Sequence, residues 1–339
     1  MYMKRIRVGL NGFGRIGRAF TRIALTNDHF DVVVINTRKT ETPMMAYLLQ
    51  YDTVYRTFGQ KVVATDDMLT IGNKTITTVR NSEIESIPWD TYDVDVVIDA
   101  TGAFMKEDEL KKHLKGSVKK VILTAPSKDE TTPHVVLGVN DDGFDFQNQH
   151  VISNCSCTTN CASPLLKVLN DSLTILKGEL TTIHAVTLTQ SLLDDTGKSF
   201  DRSRAAFQNI VPSTSGAARA VAKTIPSLKE KIDVSSIRVP IPVVSMCDVT
   251  VLANRTTTPE EVNNAFQVAS QTSMKGILQY QTETLVSSDY IGNSHSCIFD
   301  SNYTKVIDGN MVKIFGWYDN EWGYASRLSD LVMRLAHFV

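Results

Sequence analysis

The 339-residue chain has few cysteines, five in all, and three of them crowd into Cys155, Cys157 and Cys161. An odd, clustered set excludes the paired framework of a small secreted domain and suits a reducing compartment. Charge of one sign is also missing: 35 Lys plus Arg stand against 37 Asp plus Glu, a net charge of -2. Bulk attraction to nucleic acid or to an anionic membrane is therefore not expected, and any anion site must be local. No apolar run approaches the ~18 residues of a membrane span. Lys4, Arg5 and Arg7 come before any apolar targeting core could form, so a cytoplasmic, untargeted protein is expected. Internal repeats, low-complexity tracts and long Gly/Ser/Pro linkers are lacking, which excludes solenoids and flexible tethers. What remains is an ordinary globular composition, 42% apolar and 21% charged, with ample material for a core. At ~100 to 200 residues per domain, two domains are expected.

The first third alternates short β-branched runs with helical stretches: Ile6 to Leu10, Gly17 to Leu25, then Val32 to Ile35, a βαβ unit. Val94 to Ile98, Val121 to Leu123, Val135 to Val139 and His150 to Ser153 read as buried parallel strands, predicting a doubly wound α/β sheet. After residue 156 the pattern changes to longer strands, Thr181 to Leu188 and Ile237 to Leu252, with helices between them, an α+β arrangement. One helix starts at Thr258 with Thr-Pro-Glu-Glu, a cap, a first-turn proline and acids at the positive end of the dipole. The last stretch, Ala325 to Phe338, puts Leu328, Leu331, Val332 and Leu335 on one helical face.

Two constellations carry chemistry. Gly12-Phe13-Gly14-Arg15-Ile16-Gly17 is G-x-G-x-x-G between the first strand and the first helix. There the glycines permit a tight turn, a close pyrophosphate and close helix packing, and the helix N-terminus favours anions. About 20 residues on, an NAD-binding protein would place an acid against the ribose hydroxyls. This chain has Asn36, Thr37, Arg38 and Lys39 at that strand end. Without the acid, a 2'-phosphate is not repelled, and Arg38 or Lys39 would attract it; a solvated basic loop is the alternative.

The second constellation is Cys157, between a strand and a helical run, so that it sits at a helix N-terminus. A free thiol of pKa ~8.5 is only about 3% thiolate at pH 7. The helix dipole supplies ~0.3 to 1 kcal/mol, less than one pKa unit, so a second positive group is needed. His184, on the next long strand, is the candidate, as ion-pair partner and general base. Zinc is a poor rival, because Cys155, Cys157 and Cys161 lack a fourth ligand and form no C-x-x-C; no metal is expected.

These motifs, together with Gln50-Tyr-Asp-Thr53, Thr101-Gly102, Ser156-Cys-Thr-Thr-Asn-Cys161, Ser215-Gly-Ala-Ala218, Arg238-Val-Pro240 and Trp317-Tyr-Asp-Asn-Glu-Trp-Gly-Tyr324, resemble the phosphorylating glyceraldehyde-3-phosphate dehydrogenase family over essentially the whole length. The resemblance implies a Rossmann dinucleotide-binding domain over residues 1-156 and 320-339 and a catalytic domain over 157-319. It implies oxidation of glyceraldehyde 3-phosphate through a thiohemiacetal and thioester on Cys157, with His184 as base and inorganic phosphate cleaving the thioester. The Cys157 N-H and His184 would stabilise the oxyanion. Thr187, Thr189 and Arg238 match the pocket for the substrate's phosphate. Ser156, Thr158, Ser215 and Gly216 match the pocket for the attacking phosphate, with Arg202 reaching between. Each hydroxyl alone could equally cap a helix. Asn320 matches the residue that orients the nicotinamide carboxamide, Tyr324 one near the ring, and Thr101, Gly102 and Thr124 fall with the cofactor set. The segment around 186 to 211 would reach an adjoining subunit, implying a homotetramer.

Departures from the family pattern bear on the cofactor. Thr37 replaces the usual acid, and Thr196 stands where strictly NAD-dependent members often carry proline, which favours NADP or dual use. Ser215 keeps the hydroxyl of a usual threonine, while Cys155 replaces alanine and Ile241 a frequent threonine. Thr187 and the Ser215 to Ala218 run favour this substrate over the erythrose 4-phosphate of a related dehydrogenase. Outside enzymes, the alternative is a cofactor-binding redox sensor with Cys161 as resolving thiol.

Overall fold

The continuous apolar runs near the start need cover on both faces, and parallel strands with crossover helices supply it. In the computed structural model, which describes residues 5-197 and 199-339, β1 (Ile6–Asn11), α1 (Arg15–Leu25) and β2 (Phe30–Thr37) form the first βαβ unit, with β1 and β2 parallel. Lys4 lies outside the described residues. There follow α2 (Thr42–Gln50), the antiparallel strands β3 (Val62–Thr65), β4 (Met68–Ile71) and β5 (Lys74–Arg80), then β6 (Val96–Asp99), the single turn α3 (Glu107–Leu110), β7 (Lys120–Leu123) and β8 (Val151–Ser153). The eight strands are ordered β3-β4-β5-β2-β1-β6-β7-β8. β5, β2, β1, β6, β7 and β8 run parallel, and β6, at the centre, is buried along its whole length. This is the doubly wound sheet read from the sequence.

A second, seven-stranded mixed sheet is built from β9 (Ile175–His184), β10 (Val211–Thr214), β11 (Ile232–Arg238), β12 (Ser245–Ala253), β13 (Leu278–Gln281), β14 (Cys297–Ile307) and β15 (Met311–Tyr318), ordered β10-β11-β9-β12-β15-β14-β13. Helices α4 (Cys157–Leu173), α5 (Ala217–Thr224) and α6 (Pro259–Gln271) accompany it, and Leu165, Leu166 and Leu169 of α4 join Val249, Val251 and Ile314 in one core. The Thr258 hydroxyl caps α6 by accepting from the Glu261 N-H. The chain closes with α7 (Trp322–Leu335), where Leu328, Leu331, Val332 and Leu335 are fully buried.

The chain falls into two compact units, one of residues 1-135, 143-155 and 325-339, the other of 136-142 and 156-324. The division departs from the sequence boundaries at 136-142, at Ser156 and at 320-324, which go with the second unit.

Three expected strands change. Val135 to Val139 is buried but not a strand beyond one bridge at His134. The Asn140 and Asp141 side chains accept from the Val136 and Gly138 N-H groups, and Gly138 has φ +78°, so the backbone turns. The Thr181 to Leu188 run leaves the sheet at His184. Ile237 to Leu252 breaks between Arg238 and Ser245, where Pro240 and Pro242 have no N-H to give to a ladder and Val244 takes φ +69°.

At the glycine turn, a Cβ on Gly17 would lie 2.3 Å from the Gly12 carbonyl oxygen, whereas one on Gly14 would meet nothing within 4 Å. Gly17→Ala should therefore cost ~1 to 3 kcal/mol in unfolding free energy, while Gly14→Ala should stay within about 1 kcal/mol. Chemical denaturation of the two variants checks this; equal losses would contradict it.

Candidate active site

The N-terminal unit carries the glycine turn expected to hold a dinucleotide's phosphates. Gly12 has φ +103°, and its absent Cβ would sit 2.8 Å from the Ala100 carbonyl group. α1 has Gly14 as its N-cap with no side-chain cap bond, and a Cβ on Gly14 would meet nothing within 4 Å, features that suit an anion at a helix N-terminus. Phe13 is buried, and Arg15 forms an ion pair with Asp52 while lying 5.5 Å from the centre of the Tyr55 ring. Burial raises the Asp52 carboxyl, but N-H groups of Tyr55 and Val54 together with Arg15 hold it below its ordinary value. Arg22 fastens the same loop, donating to the carbonyls of Leu49, Gln50, Tyr55 and Arg56.

Several residues expected to touch cofactor have their side chains engaged within the protein. Asn36 donates to the Asn11 amide at 2.8 Å and the Asn81 carbonyl at 3.0 Å, and accepts from the Asn81 N-H. The Thr37 hydroxyl donates to the Thr40 carbonyl at 3.2 Å, while Arg38 is exposed at the strand end. Thr101 donates to Asp99 at 2.7 Å, and Thr124 to the Asp99 carbonyl at 2.9 Å. Ile16 is half-buried in α1, and Gly102, at φ +66°, is exposed.

Beneath the turn lies a polar chain that sequence reasoning missed. Trp89 donates its indole N-H to His113 Nδ1 at 3.1 Å, leaving His113 Nε2 to donate to Asp99 Oδ2 at 3.1 Å. Asn11 reaches the same oxygen at 2.9 Å. His113 and Asp99 are wholly buried, and they fix the ends of β1 and β6 under Gly12. A tryptophan, histidine and acid spread over apolar stretches leave no periodic signal.

The C-terminal unit holds Cys157, the expected nucleophile. Cys157 opens α4 behind Ser156, whose hydroxyl accepts the Thr159 N-H at 3.0 Å and caps the helix. The parallel register of β9 and β11 sets His184 beside Arg238 at the strand ends. Cys157 Sγ lies 3.4 Å from His184 Nε2, and His184 Nδ1 donates to the Ala185 carbonyl at 2.7 Å. That second bond fixes the neutral tautomer with Nε2 as acceptor, so the thiol donates.

The electrostatics correct one sequence expectation. Burial, with Arg238 and Arg202 nearby, pushes His184 down to about 3, so it is not the second positive group. Arg238 is: burial pushes Cys157 up to about 11, against the pull of Arg238 and of the Thr158 N-H and hydroxyl. The resting pair is a thiol and a neutral imidazole.

The remaining expected residues fall into smaller groups. The Thr187 and Thr189 hydroxyls are 3.0 Å apart, and Arg202 donates to Thr189 and, at 3.3 Å, to Ser213. Arg238 makes one weak bond, 3.4 Å to the Ala185 carbonyl, and its buried Nε has no partner among the described residues. Such a guanidinium fits an anion. Ser215 accepts the Ala217 N-H, and Gly216 is exposed at the start of α5. Thr158 bonds the Tyr318 hydroxyl at 3.0 Å, which also meets Thr182 at 2.8 Å, so its side chain is held and its N-H stays at the helix mouth. Thr196 is exposed, and Asn320 and Tyr324 are buried. Among the described residues no group of His, Cys, Asp or Glu is arranged to hold a metal ion.

A thiol pushed up to about 11 ionises only as pH climbs towards that value. Alkylation of Cys157 by iodoacetamide should thus accelerate about tenfold per pH unit between pH 6 and 10. A plateau starting below pH 8 would instead reveal an imidazolium-thiolate pair.

Comparison with known proteins agrees with this geometry. Residues 6–107 match the model described as glyceraldehyde 3-phosphate dehydrogenase, NAD binding domain, and residues 156–320 match that of its C-terminal domain. Glyceraldehyde-3-phosphate dehydrogenase 2 of Streptomyces avermitilis is 46% identical over 97% of this chain and 98% of its own length. The Bacillus subtilis protein named glyceraldehyde-3-phosphate dehydrogenase 2 is 43% identical over 98% and 97%, and that of Nostoc 44% over 98% of each. With both family models matched and relatives 43 to 46% identical over nearly the whole chain, this chain belongs to the glyceraldehyde-3-phosphate dehydrogenase family.

Proposed function

We propose that this protein oxidises glyceraldehyde 3-phosphate to 1,3-bisphosphoglycerate, taking up inorganic phosphate. The observation that carries the reading is the Cys157–His184 contact at 3.4 Å with the imidazole already in its accepting tautomer. As Cys157 attacks the aldehyde carbon, its proton passes to His184 Nε2, and the Cys157 N-H at the start of α4 meets the developing oxyanion. A phosphate dianion on Arg238 offsets the charge that depresses His184, so substrate binding itself raises the basicity of the base. The uncapped start of α1 and the open side of Gly14 suit the pyrophosphate of a nicotinamide dinucleotide, which when bound accepts hydride from the thiohemiacetal carbon. The thioester left on Cys157 is then cleaved by phosphate held at Ser215, Gly216 and the Thr158 N-H, with Arg202 and Thr189 between the two anion sites.

For the cofactor, exposed Arg38 and the absence of an acid at Thr37 support NADP or dual use. Exposed Leu188, Leu192, Leu193, Phe200 and Ile210 give the 188-210 segment an apolar surface that a second copy would cover, in keeping with a homotetramer. All five cysteines are free, which supports a cytoplasmic enzyme. No helix among the described residues is long and apolar enough to cross a membrane. Thr187 and Ser215 favour this aldehyde over erythrose 4-phosphate. The sensor reading is weaker, because Cys161 is fully buried, and burial and neighbouring Cys247 and Cys297 hold its thiol well above the ordinary range.

Cys157→Ser should abolish oxidation while leaving cofactor binding, and His184→Asn should slow it by about 10² to 10⁴. Full activity in Cys157→Ser would overturn the reading. Arg38→Ala should lower kcat/KM with NADP about tenfold and leave that with NAD within about twofold. Steady-state rates with each cofactor check this, and an unchanged ratio would make the basic loop solvated surface.

A further inference from the structure

Ser245, the first residue of β12, is 1% exposed and sits between two groups that the proposed reaction uses. Its Oγ accepts the Ala185 N-H at 3.1 Å and donates to Asn320 Oδ1 at 3.1 Å. Ala185 is the residue whose carbonyl holds His184 Nδ1. One hydroxyl therefore joins the backbone that sets the base to the amide proposed to hold the nicotinamide carboxamide.

The donor count makes the link directional. A serine hydroxyl has one hydrogen, and in this buried position it needs an acceptor. Asn320 Oδ1 supplies it. Were the amide flipped, Nδ2 would face Oγ and the hydroxyl hydrogen would be left without that acceptor. The observed arrangement commits Oδ1 and leaves the Nδ2 donors without a partner among the described residues. Two uncommitted donors suit a carbonyl oxygen such as that of a carboxamide. Val244, at φ +69°, and the prolines before it turn the chain so that Ser245 starts β12 opposite Tyr318.

We infer that Ser245 is a positioning residue that fixes the Asn320 amide with its N-H groups towards the carboxamide and holds the Ala185 backbone on which His184 depends. The inference rests on the reaction proposed above and on the carboxamide-orienting role that the family resemblance implies for Asn320, and it predicts coupled defects.

The test compares Ser245→Ala, Ser245→Thr and Ser245→Val in the full chain, the last two alike in shape and differing in the hydroxyl. In cofactor-free protein, amide exchange at Ala185 should quicken at least ~tenfold in the Ala and Val variants and stay near wild type in Thr. With aldehyde deuterated at C1, kcat should fall about tenfold in Ala and Val, cofactor Kd should change less than about threefold, and deuterium should reach both faces of the ring. Asn320→Ala should scramble the face equally, and adding Ser245→Ala should make it no worse. Wild-type exchange and facial selectivity in Ser245→Val, losses that add to those of Asn320→Ala, or intact selectivity in Asn320→Ala would each overturn the inference. Failure of the wild-type protein to oxidise the aldehyde would overturn the proposed function instead, and the exchange measurement would still judge the Ala185 link.

Discussion

The hydrogen bond from His184 Nδ1 to the Ala185 carbonyl is the constraint on which the site depends. It makes Nε2 an acceptor, and an acceptor 3.4 Å from Cys157 Sγ takes a proton where an imidazolium would not. The bond exists because β9 ends at His184, freeing the Ala185 backbone from the ladder, and because Ser245 and Arg238 then hold its two ends. The break between β11 and β12 at Pro240 and Pro242 is part of the same device, since it brings both Arg238 and Ser245 to the end of the sheet.

In the proposed reaction, electrostatics would make this a site activated by its substrate. Arg238 pulls the Cys157 thiol down and pushes His184 down as well, so the same charge that helps the nucleophile weakens the base. A substrate anion on Arg238, as proposed, would resolve the conflict by occupying the guanidinium, whose buried Nε has no partner among the described residues. Binding and chemistry are linked through one side chain, as expected where remote binding energy is used at the reacting centre.

Much of the molecule was legible in the sequence. Gly12, Gly14 and Gly17 announced the turn, and Gly17 packs against the Gly12 backbone as the spacing implied. The apolar runs of β6, β7 and β8 read as buried parallel strands, and Cys157 falls at the start of α4. Val135 to Val139 misled because burial alone, without a hydrogen-bonding partner strand, produces the same apolar run. The polar chain of Trp89, His113 and Asp99 and the role of Ser245 were hidden because each joins residues far apart in sequence through single atoms. Ser156, expected at the attacking phosphate, also caps α4, a structural role that the sequence alone left as an alternative for each hydroxyl.

The most direct test is a single-turnover experiment on wild-type protein mixed with glyceraldehyde 3-phosphate and a nicotinamide dinucleotide, first without phosphate and then with it. One equivalent of reduced cofactor per subunit, an acyl group on Cys157, and sustained turnover only after phosphate is added are the expected results. Sustained turnover without phosphate, or reduction with no acyl group on Cys157, would contradict a thioester formed by the Cys157–His184 pair.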